Sequence, residues 1–373
     1  MKVLGLMSGT SADGIDAVLV EFGGRPARPR WRILASCAHP YPAPLRAQLV
    51  ELGQGKACTA AQLLDLAEAV TEAQALAARA CDPRSEAVLV GCHGQTVWHR
   101  PPAGGQRGAS WQLLQGPLLA GLLERPVVFD FRSADLALGG EGAPLVPATD
   151  EALLGRTGGW RAVLNLGGIA NLTLLPPACG PERHRPVLGW DCGPANTLID
   201  LAVERFSEGR QRYDADGAWA ERGEVDEPCL ARWLLEPYFQ QQPPKSTGRE
   251  LFGAADLERR LAQLPPEPAD ALATLSALTA AVVARDLVRG PRPLELLVAG
   301  GGARNRFLMA QLRRRCTGIL VRPLQDLGIA DAQREALAFA LLAWWHRRGH
   351  PGSLPSVTGA CRAAVLGVRA EPP

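Results

Sequence analysis

Apolar runs punctuated by glycine-rich polar stretches open the chain. Residues 2–7 read as a buried strand, and 15–22 set Ile15, Ala17 and Leu19 against Asp16, Val18 and Val20. With a further run at 31–37 these predict a three-stranded meander. At 59–81 the period changes to a helical one, with Thr59 placed as N-cap and Leu63, Leu64, Leu66, Ala67 and Val70 on the apolar stripe. "AVLVGCHGQT" is a short all-apolar strand of the kind buried on both faces, ending in a polar loop. Residues 112–124 read as helix and "PVVFDFR" as another buried strand.

The pattern then restarts. "RAVLNLGGIANLTLL" (161–175) repeats the opening strand, glycine turn and strand, and "GWDCGPAN" runs into a helix at 195–207. A long helix near 270–289, the segment "LELLVAGGGARN" and an apolar helix at 331–346 complete the second half. An α/β fold follows, a mixed sheet flanked by helices built twice. The segment 132–160 is the expected crossing point, and "PPACGPERHRP" (176–186) and "QQPPKSTGRE" (241–250) are loops by their proline and glycine content.

Composition narrows the class. The 373 residues are 47% hydrophobic and 21% charged with a net charge of +2, which gives no basic stripe for nucleic acid and no membrane-seeking surface. The nine cysteines are scattered without a CxxC pair, which argues against a disulfide framework and a zinc ribbon. With no apolar run of membrane length and no signal-peptide pattern, a cytoplasmic protein is expected.

The first hairpin connection is longer than a turn requires. Gly9, Thr10, Ser11, Ala12, Asp13 and Gly14 supply hydroxyls, glycines and a carboxylate directly after a strand, leading into Ile15 and Asp16. A solvent-exposed loop is the plain alternative. A phosphate cradle is preferred, with Asp13 as a direct or water-mediated partner of Mg²⁺. There is no GxxxxGK[ST], and "AGGGARN" ends in Asn where a dinucleotide fingerprint needs a third glycine. Three glycine turns after apolar strands, at 9–14, 167–168 and 300–302, suggest backbone amides converging on an anion.

"GWDCGPANTLID" places Asp191 two residues before Gly193, the expected helix cap, with Pro194 at the first helical position. A carboxylate at a strand end, ionised at neutral pH, suits a general base. His93 and Thr96 in "CHGQT" end another strand, and His93 reads equally as a structural histidine or a substrate contact. Arg132 follows a strand, where it could pair an anionic substrate or an internal carboxylate. Glu335, four residues after the expected cap Asp331, reads as compensation of a helix dipole.

Taken as a set, "GLMSGTSADGID", "CHGQTVWH", "DFRSADLALGGEGAPLVP", "NLGGIANLT", "GWDCGPAN", "PPKSTGRE", "GGGARN" and "PSVTGA" resemble the anhydro-N-acetylmuramic acid kinases. These belong to the sugar kinase, heat-shock ATPase and actin superfamily, and the motifs run in order from residue 4 to about 360. The resemblance implies two actin-like (ribonuclease H-like) domains, 1–135 and 136–349, with 350–373 returning to the first and ATP in the cleft between them. It implies an enzyme that opens a 1,6-anhydro sugar with water and phosphorylates O6 from ATP with Mg²⁺, and a homodimer. Carried over, Gly9 to Asp16 form the ATP-phosphate loop, Gly167, Gly168 and Asn171 the second phosphate turn, and Gly300, Gly301, Gly302 and Asn305 the nucleoside side. Asp191 becomes the base that activates water. His93, Thr96, Arg132 and Glu335 become sugar contacts, which replaces the helix-dipole reading of Glu335.

Two positions depart from the family pattern. Cys192 stands where Thr is usual and Ala195 where Gly is usual, and a Cys192 thiol beside the base would be open to oxidation if exposed. Two rival readings share the fold: another small-sugar kinase, and a non-catalytic nucleotide-binding module that would have no need of Asp191, His93, Thr96 and Arg132.

Overall fold

The computed structural model describes residues 1–155, 157–243 and 245–373. Arg156, in the expected crossing segment, and Pro244, in "QQPPKSTGRE", lie outside the described residues. The chain forms two compact units, residues 1–154 with 332–373, and residues 155–331. Residues 136–154 and 332–349, assigned to the second domain from sequence, therefore group with the first unit.

In the first unit β1 (Lys2–Ser8), β2 (Gly14–Arg25) and β3 (Arg28–Pro40) form the expected antiparallel meander. β4 (Val90–Arg100) lies parallel to β1, β5 (Ala109–Leu113) pairs antiparallel with β4, and β6 (Val127–Phe129) is parallel to β4. In the second unit β7 (Arg161–Leu166), β8 (Ile169–Leu175) and β9 (Leu188–Pro194) form another antiparallel meander. β10 (Glu295–Ala299) is parallel to β7, and β11 (Leu320–Pro323) is parallel to β10. Last, β12 (Val368–Ala370) returns to the first unit and pairs antiparallel with β6.

The sheet orders are β12-β6-β4-β1-β2-β3, with β5 beside β4, and β11-β10-β7-β8-β9. Aligned from their first hairpins, the orders coincide: β1 corresponds to β7, β4 to β10 and β6 to β11. The mixed sheet is built twice, as the restarting pattern indicates.

The Ala60–Cys81 helix begins as read, with Thr59 and Gln62 forming a reciprocal capping box that contributes about 1 kcal/mol. Leu66 and Val70 on its apolar face are buried, and the helix packs on β1–β4. The opposite face of the sheet receives the Asp331–Arg347 helix, whose residues Ala336 to Trp345 are all buried. Such a helix, apolar all round, belongs in a core. It approaches β1 and β4 where they carry glycine: a Cβ on Gly5 would lie 2.0 Å from the Ala336 carbonyl oxygen, and one on Gly91 2.3 Å from that of Phe339. In the second unit the Pro268–Leu287 helix packs on β9, β8 and the Asn196–Phe206 helix, and its buried leucines contribute about 1.5–3 kcal/mol each.

Several elements differ from expectation: His93 and Thr96 lie inside β4, which runs on to Arg100, and Asp191 lies in the middle of β9, where strand ends were expected. Residues 109–113 are strand and helix begins only at Gly116, so the start of the 112–124 reading is corrected. Pro194 ends β9, and Ala195, not Gly193, caps the Asn196–Phe206 helix. Gly193 has φ +153°, a backbone that L side chains rarely adopt, which carries the chain from strand to helix. Among the described residues, no helix is long and apolar enough to cross a membrane.

Candidate functional site

The candidate residues fall into two sets, one in each unit. In the first unit the loop between β1 and β2 closes on itself through Ala12 N–H to the Gly9 carbonyl, 3.1 Å. Gln95 Nε2 donates to the same carbonyl at 3.0 Å, and Tyr41 N–H donates to the Asp13 carbonyl at 3.3 Å. Below the loop, Gln74, Ser8 and Tyr41 form a buried hydrogen-bonded cluster. Ala12 and Ile15 are 1% exposed, so their side chains serve the core and only their backbone faces the loop. Thr10 and Ser11 are exposed. A Cβ on Gly9 would meet nothing nearer than Ser11 Oγ at 3.7 Å, so the space before it is open.

That loop lines a recess of about 330 Å³ with Gly9, Ser11, Asp13, Asp16, His39 and Glu335. Burial, and secondly the charge of Glu335, raise the pKa of Asp16. Asp13 lies elsewhere in the charge pattern: its Oδ1 accepts from Arg46 Nη2 at 2.7 Å and Nε at 3.1 Å in an exposed pair. Arg132 donates through Nη2 (2.9 Å) and Nε (3.2 Å) to His93 Nε2, and through Nη1 to the Gly142 carbonyl at 2.7 Å. His93 Nδ1 is 2.8 Å from the Gly94 carbonyl, which makes it the protonated nitrogen. Burial, aided by the Arg132 charge, pushes the His93 pKa down to about 3, so the ring is neutral. The imidazole packs on Phe339 with ring centroids 4.6 Å apart. His93 is therefore a buried support for Arg132. Glu335 is exposed and acts electrostatically on both Asp16 and Arg132, and Thr96 Oγ1 accepts from Gln112 at 3.2 Å.

In the second unit Asp191 is the most heavily tethered candidate. Its Oδ2 accepts from Ser246 Oγ at 3.1 Å and Thr247 N–H at 3.0 Å, and its Oδ1 accepts from Asn171 Nδ2. Its backbone N–H donates to the Lys245 carbonyl at 2.9 Å, and its carbonyl accepts from Tyr238 OH at 2.8 Å. The β8–β9 register shifts beside it, leaving Cys192 as the extra residue, and such bulges re-aim neighbouring side chains. Cys192 is wholly buried, and burial raises its thiol pKa well above the ordinary value. The exposure that would make it an oxidation target is absent. Asn171, grouped with the phosphate turn from sequence, bonds the carboxylate of Asp191 through its Nδ2. Ser246 and Thr247 lie in the motif "PPKSTGRE" but were given no role from sequence, and Tyr238, in the short Pro237–Gln240 helix, carried no signal.

The Gly167–Gly168 turn uses its carbonyls on the chain itself: Gly168 O accepts from Ala195 and Thr197 N–H, and Gly167 O from Asn196 N–H, at 2.9–3.1 Å. The Gly300 amide donates to Asp331 Oδ1 at 3.0 Å. Gly301, Gly302 and Asn305 line a cavity of about 570 Å³ with Asn196, Asp200 and Tyr213, a volume that suits a small organic ligand. Asn305 Oδ1 also caps the Arg306–Arg315 helix at the Leu308 N–H, 2.9 Å. Burial pushes the Asp200 pKa up to about 6, with Arg249 opposing. Among the described residues, no group of three or more His, Cys, Asp or Glu side chains could hold a metal ion.

Two sheets of one topology, each a mixed sheet that begins with an antiparallel meander and is flanked by helices, define an α/β protein built from a repeated unit. The model of the family described as anhydro-N-acetylmuramic acid kinase matches residues 1–371. Proteins named anhydro-N-acetylmuramic acid kinase from Parasynechococcus marenigrum (strain WH8102) and Synechococcus sp. (strain CC9902) are 64% and 63% identical, covering 100% of both chains. A solved ROK family glucokinase from Streptomyces griseus, in complex with glucose and AMPPNP, is 15% identical over 93% of this chain and 100% of that chain, with a TM-score of 0.40. The chain belongs to the anhydro-N-acetylmuramic acid kinase family.

Proposed function

We propose that the chain uses ATP and water to convert 1,6-anhydro-N-acetylmuramic acid into N-acetylmuramic acid 6-phosphate and ADP. The anhydro sugar has no free O6 hydroxyl, because O6 is already bonded to C1. Asp191 takes a proton from water as the water oxygen bonds C1. The C1–O6 bond breaks, O6 keeps the electron pair and attacks the γ-phosphorus, and ADP leaves. The observation that carries this reading is the Asp191 carboxylate itself, fixed through both oxygens by Asn171, Ser246 and Thr247. A base locked in one orientation acts without reorganising.

The open loop Gly9 to Gly14 receives the β- and γ-phosphates, and the cavity lined by Gly301, Gly302 and Asn305 receives the nucleoside. Arg132, held by His93, faces the sugar together with Thr96 and Glu335. For Mg²⁺, the donor set that fits is Asp16 and Glu335. Their carboxylates share one recess and repel each other, whereas Asp13 is neutralised by Arg46. Mg²⁺ needs one or two carboxylates beside phosphate oxygens and water, and when bound it would neutralise phosphate charge. Asp13 is thus better assigned to shaping the loop. Homodimer formation and a cytoplasmic site complete the reading, and light scattering of the purified chain tests the first.

Turnover in ¹⁸O-water tests the reaction. Label at C1 and none in the phosphate is the expected result, while label in the phosphate would mean plain ATP hydrolysis. Coupled ADP release over a panel of sugars separates this substrate from the alternative of another sugar on the same fold.

A further inference from the structure

We propose that the buried Lys245–Asp286 ion pair is a positioning device for Asp191: it clamps both neighbours of that residue and the loop that bonds its carboxylate. This rests on the reading of Asp191 as the base. Lys245 Nζ lies 3.0 and 3.2 Å from the two Asp286 carboxylate oxygens, with the side chains 2% and 1% exposed. Withdrawing two charges from water is unfavourable, and a packed core alone is served as well by apolar residues of the same size. The pair's neighbours indicate what it does.

Asp286, on the Pro268–Leu287 helix, also accepts from Trp190 Nε1 at 3.1 Å, and the Cys192 thiol lies against the same carboxylate. Arg289 stands further off at 3.7 Å. The side chains on both sides of residue 191 meet the Asp286 carboxylate, so holding residues 190 and 192 fixes the backbone of the bulge between them and with it the direction in which residue 191 projects. The other half of the clamp works through Lys245. Its carbonyl accepts from the Asp191 N–H at 2.9 Å, and the next two residues, Ser246 and Thr247, donate to Asp191 Oδ2. Its ammonium also sits over the Tyr238 ring, 4.9 Å from the centroid, and Tyr238 OH donates to the Asp191 carbonyl. One buried carboxylate thereby ties together Trp190 and Cys192, the two chain neighbours of the base, and the 245–247 loop that bonds it.

A purely structural ion pair and a positioning pair separate when both charges are removed together. Replacing both partners by apolar residues commonly leaves stability near the starting value, whereas removing one strands a buried charge. The double variant Lys245→Met/Asp286→Leu is therefore expected to melt near wild type and to keep its KM for ATP within about twofold. Its kcat should fall by about 10–10², the scale on which misplacement of a catalytic group acts. Trp190→Phe, which removes one tie between Asp286 and the strand that carries Asp191 and leaves the ion pair intact, gives the second reading should the double variant fail to fold, and the same split of kcat from KM is expected. Wild-type kcat in either folded variant overturns the proposal. Asp191→Asn is assayed beside them: lost turnover there with full turnover in the clamp variants rejects the clamp alone, and full turnover in Asp191→Asn rejects the base and the clamp with it.

Discussion

The two units repeat one strand order but build their first hairpin turns differently. Between β1 and β2 a long loop is fastened from behind by Gln95 and Tyr41, and the space before Gly9 stays open. Between β7 and β8 two glycines suffice, and their carbonyls are spent on the amides at the start of the Asn196–Phe206 helix. From sequence both turns read as phosphate cradles. An anion is held by backbone N–H groups, so these carbonyl bonds show how the second turn is built onto the helix start and do not decide which turn holds phosphate.

The largest expected effect sharpens the functional side of this contrast. Asp191→Asn keeps the shape and removes the base, and kcat should drop by about 10²–10⁴ with ATP binding retained, measured by ADP release and titration. Next, Gly9→Val should raise the KM for ATP by about 10–10² while the melting temperature stays near wild type, because nothing in the protein occupies the space the side chain would enter. Wild-type ATP affinity in a folded Gly9→Val protein would end the phosphate reading of that loop. Gly300→Ala should do the reverse. Its φ is +84° and a Cβ would lie 2.8 Å from the Leu166 carbonyl, so unfolding should show a loss of about 1–3 kcal/mol.

A smaller effect concerns Asp16 and Glu335. Asp16→Asn should raise the Mg²⁺ needed for half-maximal rate several-fold, and Asp13→Asn much less. The pKa of Asp16 is raised by burial and then by Glu335, so activity that requires the ionised form should fall as pH drops through that raised value. Glu335→Gln removes one cause and should move this acid limb to lower pH. The smallest effect is at Asp200, whose pKa of about 6 lies above its unfolded value. The folded state then binds the proton more tightly, so this group's contribution to stability falls as pH rises through about 6. Asp200→Asn should gain about 1–2 °C in melting temperature at pH 7.5 and nothing near pH 4.

Much of this architecture was legible because it is written in local periodicity. The restart at residue 161, the alternation of β2 and the capping box at Thr59 each need only a few neighbouring residues to be read. Residues 109–113 misled because their extended state is settled by pairing with β4, not by their own pattern. Pro194 suits a helix start locally, yet its position as the end of β9 is set by pairing with Ile169. The surroundings of Asp191 were hidden for the same reason: Asn171, Tyr238, Ser246 and Thr247 reach it across 20 to 56 residues of chain. His93 was readable as polar, but it lies inside β4 and not at a strand end, and its burial against Phe339 depends on a helix that begins over 200 residues later. The boundaries of the units follow from such distant contacts and have no local mark.

The return of the chain to its first sheet has a consequence for how the protein is made. β1 and β4 expose Gly5 and Gly91 to a helix that is not synthesised until residues 331–347, and β6 waits for β12 at 368–370. Residues 155–331 can leave the ribosome and fold as a unit while one face of the earlier sheet is still uncovered. The unit translated first is thus the one completed last, and a nascent chain stalled before residue 331 would carry an uncovered apolar sheet face in its first unit, the kind of surface chaperones hold.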